Sequence, residues 1–392
     1  MFIALIALLG MLAIYVSSDD AEQSRIRREE QSSRALALAK EVLISHAIID
    51  AVTDPSQASP RPGELPCPAR HDDGVSDGGS ACSTVGWLPW KTLELEDLRD
   101  SAGARLWYAV SGDFRDDGIN EPDINSAATF TGLLHILDAS GFETGTAAAV
   151  IIAPGSALSG QTRSADDNVA ADVIQQYLEG TNTDMDDSFS GETTISLNDQ
   201  IVVITAEELV ERASQLAIRQ VAATIREYYN AEGYYPYPEF DTICDINTYG
   251  PANPGGHQNI AALLPLTRDG NCPYDSVLSL PTWFTDNNWD KVIVYMVAPA
   301  CVGQDKNNCN GGGGFLTLGS QGGIRVMVAD SGRVLGGVEC SGQPSYTQIR
   351  PWPTNYQICE YLETNENTDG DLIFIQPVSS ATTNDVFLTV EP

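Results

Sequence analysis

The residues best suited to chemistry are two acidic stretches, each preceded by the same Tyr-Leu-Glu triplet. The first carries Glu179, Asn182, Asp184, Asp186 and Asp187, and the second follows Glu363 with Asn365, Asn367, Asp369 and Asp371. Asn365, Asn367, Asp369 and Gly370 hold the first, third, fifth and sixth positions of a calcium-loop spacing, but Gln376 stands where a closing bidentate glutamate belongs. Oxygen-only donors suit a hard cation such as calcium over zinc or copper. Two readings therefore stand: a calcium-dependent loop in each stretch, or solvated turns built from ordinary Asp, Asn and Gly turn chemistry. Two further clusters, around Asp72, Asp73 and Asp77 and around Asp113, Asp116 and Asp117, read as turns.

Other catalytic signatures are missing from the sequence. Its four histidines, His46, His71, His135 and His257, lie in no HExxH pattern, and the glycine run ending at Gly314 is not followed by the GK[ST] of a phosphate loop. Carboxylates are so abundant that no glycosidase pair stands out. The chain reads as non-enzymatic. Trp87, Trp90, Trp107, Trp283, Trp289 and Trp352 suggest either a carbohydrate or adhesion platform or, in preference, core packing.

With 21 Lys and Arg against 54 Asp and Glu, the formal charge is -33, which repels nucleic-acid phosphates and anionic lipid surfaces. The eight cysteines fall into near neighbours: Cys67 with Cys82, Cys244 with Cys272, Cys301 with Cys309, and Cys340 with Cys359. Local pairing is favoured because each bridge then closes a short loop, contributing about 2 to 4 kcal/mol. Four bridges imply an oxidising compartment.

These residues need elements to position them. Residues 1–16, MFIALIALLGMLAIYV, carry no charge, and the run extends through Ser17 and Ser18. No basic stretch precedes the run and no small-residue cleavage site follows it, so it reads as retained. Beyond it, Leu36, Ala39, Leu43, Ala47 and Ile48 recur at helical spacing until Pro55. One helix through 1–54 would be roughly 80 Å long, more than a bilayer needs. A second helix is expected from Thr205, with Glu208 at capping-box spacing and Leu209, Ala213, Leu216, Val221, Ile225 and Tyr228 along one face.

An apolar start followed by a long amphipathic helix resembles the type IV pilin and type II secretion pseudopilin superfamily. The resemblance implies a homopolymer, a helical filament whose core is Met1, Phe2, Ile3, Leu5, Ile6, Leu8, Leu9, Leu12 and Ile14. It also implies an inner-membrane stage before assembly, an extracellular or cell-surface location, and coassembly with other pilins as an option. Heads of that superfamily often hold calcium in an acidic loop. The family usually has glutamate at the fifth mature position, where this chain has Leu5; that departure points to the alternative of a minor tip subunit acting in adhesion or secretion.

Self-comparison shows blocks repeated in the same order. Gly63–Pro68 matches Gly233–Pro238, Arg105–Val110 matches Val292–Val297, and Val150–Gly160 matches Val326–Gly336. Tyr177–Asp187 matches Tyr361–Asp371, and Asn198-Asp199 matches Asn384-Asp385. Collinearity over so long a period points to tandem duplication of a domain. The expected fold is α+β: a long N-terminal pilin-type helix (1–54) followed by two pilin-like lobes (55–204 and 205–392). Each lobe would be a helix packed on an antiparallel sheet.

Overall fold

A computed structural model describes residues 23, 26–53, 61–117, 130–164, 167–191, 196–236, 261–266, 278–301, 309, 314–340, 343–348, 358–368, 371–378, 380 and 383–390. The apolar segment 1–16, with every proposed polymerisation residue from Met1 to Ile14, lies outside them, as do Cys244, Cys272 and Asp369. Among the described residues no helix is long and apolar enough to cross a membrane.

The described residues divide into two units. One is built around Gly63–Glu121 and Phe130–Leu209 together with the first helix, and the other around Val210–Pro392.

In the first unit, helix α1 covers 26–45 and ends in a π turn, His46–Asp50, and a last helical turn, α2 (Ala51–Thr53). Its apolar spacing buries Leu36, Ala39, Leu43, Ala47 and Ile48, while Ile26, Leu38 and Ile49 remain 44%, 46% and 50% exposed. Lys40 ties it down by donating to the Val203 carbonyl at 2.9 Å and to Glu208 at 2.6 Å.

The strands of this unit are β1 (Val85–Trp87), β2 (Trp107–Val110), β3 (Leu134–Leu137), β4 (Glu143–Ala147), β5 (Ala149–Ala153), β6 (Ser188–Ser190) and β7 (Gln200–Ile204). They form an antiparallel sheet in the order β1-β2-β5-β7 and a small sheet in the order β4-β3-β6, in which β3 and β6 run parallel. The continuous apolar runs WYAV and AVIIA make β2 and β5 the buried central strands. Trp107, Ala109, Val150 and Ile152 share a core with Leu134 and Phe189 of the small sheet and with Ala170, Ile174 and Leu178, which lie on or just after helix α3 (Ala170–Tyr177). Most of this stabilisation is apolar burial, about 25 cal/mol per Å2 removed from water.

Helix α4 (Ala206–Glu232) opens with the expected capping box. The Glu208 backbone N–H donates to Thr205 Oγ1 at 3.1 Å, and the Thr205 N–H donates to the Glu208 carboxylate at 3.0 Å. In the second unit, β8 (Ala261–Leu263), β9 (Ile293–Val297), β12 (Val326–Asp330) and β16 (Val386–Val390) form one antiparallel sheet in the order β16-β12-β9-β8. Strands β10 (Leu316–Leu318), β11 (Gln321–Ile324) and β15 (Ile373–Phe374) form another, in which β10 and β15 run parallel. Strands β13 (Gly336–Cys340) and β14 (Gln343–Thr347) add a hairpin. Helix α5 (Thr282–Asp286) and the short turn α6 (Asn365–Thr368) complete the unit.

The strand orders of the two units are the same: β1-β2-β5-β7 corresponds to β8-β9-β12-β16, and β4-β3-β6 to β11-β10-β15. The repeated sequence blocks fall on β2 and β9, on β5 and β12, and just ahead of β7 and β16.

The expected pilin plan is not what the chain adopts. Among the described residues the molecule is mixed α/β, dominated by short strands in five small sheets, with no long pilin-type helix packed on a sheet. The expectation failed because helical periodicity identifies a helix without fixing which surface it covers. It also failed because β4 and β6 (ETGTA and SFS) are too polar, and β3 (LHIL) too short, to register as strands.

Disulfides join Cys67 to Cys82 and Cys301 to Cys309, with Cα atoms 5.4 and 4.2 Å apart. Cys359 is also disulfide-bonded.

Candidate functional site

The first acidic stretch begins where α3 stops. Leu178 and Glu179 turn inward, and a 3-10 turn, Gly180–Thr183, delivers Asn182 to a fully buried position. Glu179 Oε1 accepts from Gln161 Nε2 at 2.7 Å and its Oε2 from the Asn198 N–H at 3.0 Å, while its own backbone N–H donates to Asp199 Oδ2 at 3.0 Å. Asn182 Nδ2 donates to that same Asp199 oxygen and to the Ser190 carbonyl, each at 2.9 Å, and its Oδ1 accepts the Ser190 N–H at 2.8 Å. Two carboxylates, one amide pair and the start of β7 are thus locked together beneath the loop.

The second unit repeats the arrangement. Gln348 Nε2 donates to Glu363 Oε1 at 2.9 Å, the Asn384 N–H to Glu363 Oε2 at 3.1 Å, and the Glu363 N–H to Asp385 Oδ2 at 3.2 Å. Asn367 exchanges both amide bonds with Ile375, at 3.0 and 2.8 Å. Even the flanking contact recurs: Asn198 Nδ2 donates to the Ser156 carbonyl and Asn384 Nδ2 to the Arg333 carbonyl, each at 2.8 Å.

Burial raises the Asp199 pKa to about 8, with the nearby Glu179 charge adding to the rise and the Asn182 hydrogen bond opposing it. Asp199 is fully buried and its Oδ1 has no hydrogen-bond partner. Near neutral pH this carboxyl holds a proton.

The residues proposed for calcium thus divide by burial. Glu179 and Asn182 are buried and their oxygens are occupied by protein donors, as are those of Asn367. Asp184, Asp186 and Asp187 are exposed, with Asp186 Oδ1 accepting the Ser188 N–H at 2.8 Å. Asp371, also exposed, accepts the Ile373 N–H at 2.6 Å. Among the described residues, no group of three or more His, Cys, Asp or Glu side chains is placed to hold a metal ion. Gln161, Asp199, Gln348 and Asp385 are the cluster members that the acidic spacing did not single out. The signal that finds the two aspartates is the repetition itself, since Asn198-Asp199 and Asn384-Asp385 occupy matching places, whereas the two glutamines carry no sequence signal.

Four of the tryptophans belong to the core: Trp107 and Trp289 are fully buried, and Trp87 and Trp283 are 3% and 6% exposed, while Trp90 is half-buried and Trp352 lies outside the described residues. One open concave feature of the first unit is a cavity of about 350 Å3 between the 99–105 loop and the chain entering α3. Its wall includes Asp72, Arg99, Arg105, Asp167, Tyr177 and the edge of Trp87. Asp100 shapes the loop from beneath, accepting the N–H groups of Ala102, Ala104 and Gly155 at 2.8, 2.9 and 2.7 Å. Gly155 is needed there because its φ of +68° is strained for any side chain. Burial nevertheless raises the Asp100 pKa, outweighing those three bonds.

Comparison with protein-family models, with curated proteins and with solved structures gives no match. The pilin resemblance therefore rests on the sequence pattern, and the fold carries no diagnostic feature of that superfamily.

Proposed function

We propose that this chain is a non-enzymatic structural subunit that works outside the cytoplasm. In this reading it enters the inner membrane through its apolar N-terminal segment and then polymerises into a surface filament through the same segment. One observation supports the reading above others. Sixteen uncharged residues precede in sequence a helix (26–45) whose inner side is already covered by its own unit, while Ile26, Leu38 and Ile49 remain exposed. A leading segment of that kind needs lipid or other copies of itself to shield it. The disulfides agree with an oxidising location.

The test is electron microscopy of material sheared from cells, beside a variant lacking residues 1–22. Fibres with this chain at every helical position, lost in the truncated variant, are the expected result. A full-length chain that stays monomeric without detergent, its apolar segment folded against its own unit, overturns the reading. Leu5, in place of the usual glutamate, favours a second reading as a minor subunit at a filament tip, in which case immunogold labels fibre ends alone.

The same reading carries calcium on the exposed carboxylates of the first acidic loop, Asp184, Asp186 and Asp187, which must close around the ion because they form no ready-made ligand group, while buried Glu179 and Asn182 fix the turn. Millimolar calcium is then expected to raise the melting temperature, since a cation at a hundredfold excess over its Kd adds about 2.7 kcal/mol. Replacing Asp186 and Asp187 by Asn removes the effect. An identical melting curve in chelator and in calcium rejects the site.

A further inference from the structure

The geometry points to the cavity of the first unit as a binding site for a neutral sugar, in the size range of a disaccharide. Its volume, about 350 Å3, lies in the range of small-molecule sites.

The charges around it balance, with Arg99, Arg105 and Arg163 set against Asp72, Asp167 and the adjoining Asp97. Arg99 and Arg105 both bond to Asp97 behind the loop, Arg105 also faces Asp72 at 3.8 Å, and Asp167 accepts the Tyr177 hydroxyl at 3.0 Å. Arg163 is held by neutral acceptors, donating to the carbonyls of Gly155, Gln176 and Tyr177 at 2.6, 2.9 and 3.1 Å, with its guanidinium 4.9 Å from the Tyr177 ring centre. With each cation so engaged and the whole chain at -33, the cavity offers an anion little attraction. A cation gains little either, because each wall carboxylate already faces a guanidinium or a hydroxyl.

What remains is a ring of fixed donors and acceptors of both kinds around an aromatic surface. Guanidinium N–H groups donate, and the Asp72 and Asp167 carboxylates accept. A ligand that satisfies such a wall must donate and accept in several directions while resting apolar C–H groups against the rims of Tyr177 and Trp87, whose faces Arg163 and Arg105 overlie. Sugar hydroxyls and ring C–H groups do both. The scaffold is already set, because Arg163 and Asp167 are pinned by the ends of α3 and Asp100 fixes the opposite loop. Binding then carries little ordering cost.

The experiment is saturation-transfer NMR on the full chain, in a detergent without a sugar headgroup, using lactose, maltose and cellobiose as probes and glucuronate and phosphate as anionic competitors. The expected result is saturation transfer to at least one disaccharide, not displaced by either anion. Substituting the rim residues together, Asp72→Asn with Arg99→Gln, is expected to weaken binding at least tenfold, about one charge-assisted hydrogen bond. Should that double variant lose its fold, Asp167→Asn is read in its place, with the same expected loss. Absence of transfer from all three disaccharides, equal binding by the folded variant, or displacement by phosphate or glucuronate each overturns the assignment. None of these readouts depends on whether the chain polymerises.

Discussion

Replacing Asn182 by alanine is expected to lower the stability of the first unit by about 3 kcal/mol, because three hydrogen bonds to buried partners vanish at once. The Ser190 N–H and carbonyl would be left without their amide partner, and Asp199 Oδ2 would keep only the Glu179 N–H. The amide is fully buried, so water does not replace the lost bonds without opening the loop. A urea titration followed by the fluorescence of Trp87 and Trp107, both in the first-unit core, is expected to show the midpoint fall. The matching change, Asn367→Ala, is expected to leave that signal in place and to destabilise the second unit instead. If Asn182→Ala shifts the midpoint by only a few tenths of a kcal/mol, the cluster is not the staple that its geometry indicates.

The second large effect concerns the proton on Asp199. The folded pKa stands at about 8 and the ordinary value is 3.8, so between those limits the folded chain keeps a proton that the unfolded chain has released. Stability must therefore fall as pH rises through that window, by at most about 1.4 kcal/mol per pH unit from this group. Below the ordinary value both states are protonated, and above the raised one both are ionised, so the slope disappears at each end. Asp199→Asn imitates the protonated side chain: its oxygen accepts from Glu179 and Asn182 while its NH2 faces the Glu179 carboxylate. The variant is expected to match the wild type near pH 4 and to exceed it increasingly toward pH 8. Melting temperatures measured at intervals across that range decide it, and parallel curves for the two proteins would show that Asp199 does not titrate in the window.

Much of the architecture was legible because some signals are physical necessities. The runs WYAV, AVIIA, IVYMV and VMVAD have to be buried strands, since nothing else hides four or five consecutive apolar side chains in so short a segment. The capping box at Thr205 fixed the start of α4 within a residue. The small sheets were illegible for the converse reason. Strands β3 and β4 are half solvated and pair around a polar hairpin, so their register comes from tertiary contact rather than from an apolar pattern. At the site, acidic spacing found Glu179 and Asn182 but assigned their oxygens to a cation, whereas the fold turns them toward backbone and side-chain donors. Asp199 stood out only as part of the repeated Asn198-Asp199 block, because an aspartate ahead of a strand is ordinary in sequence. Only its burial, with a neighbouring carboxylate, makes it unusual.

The two bridges described, Cys67 with Cys82 and Cys301 with Cys309, span 15 and 8 residues. Rings so small shield little chain from tension, roughly 70 Å of extended polypeptide between them. Outside these two rings and whatever loop Cys359 closes, the described strands resist a pull only through sheet hydrogen bonds and packed side chains. The Cys67–Cys82 and Cys301–Cys309 rings would keep their length while the strands beside them part.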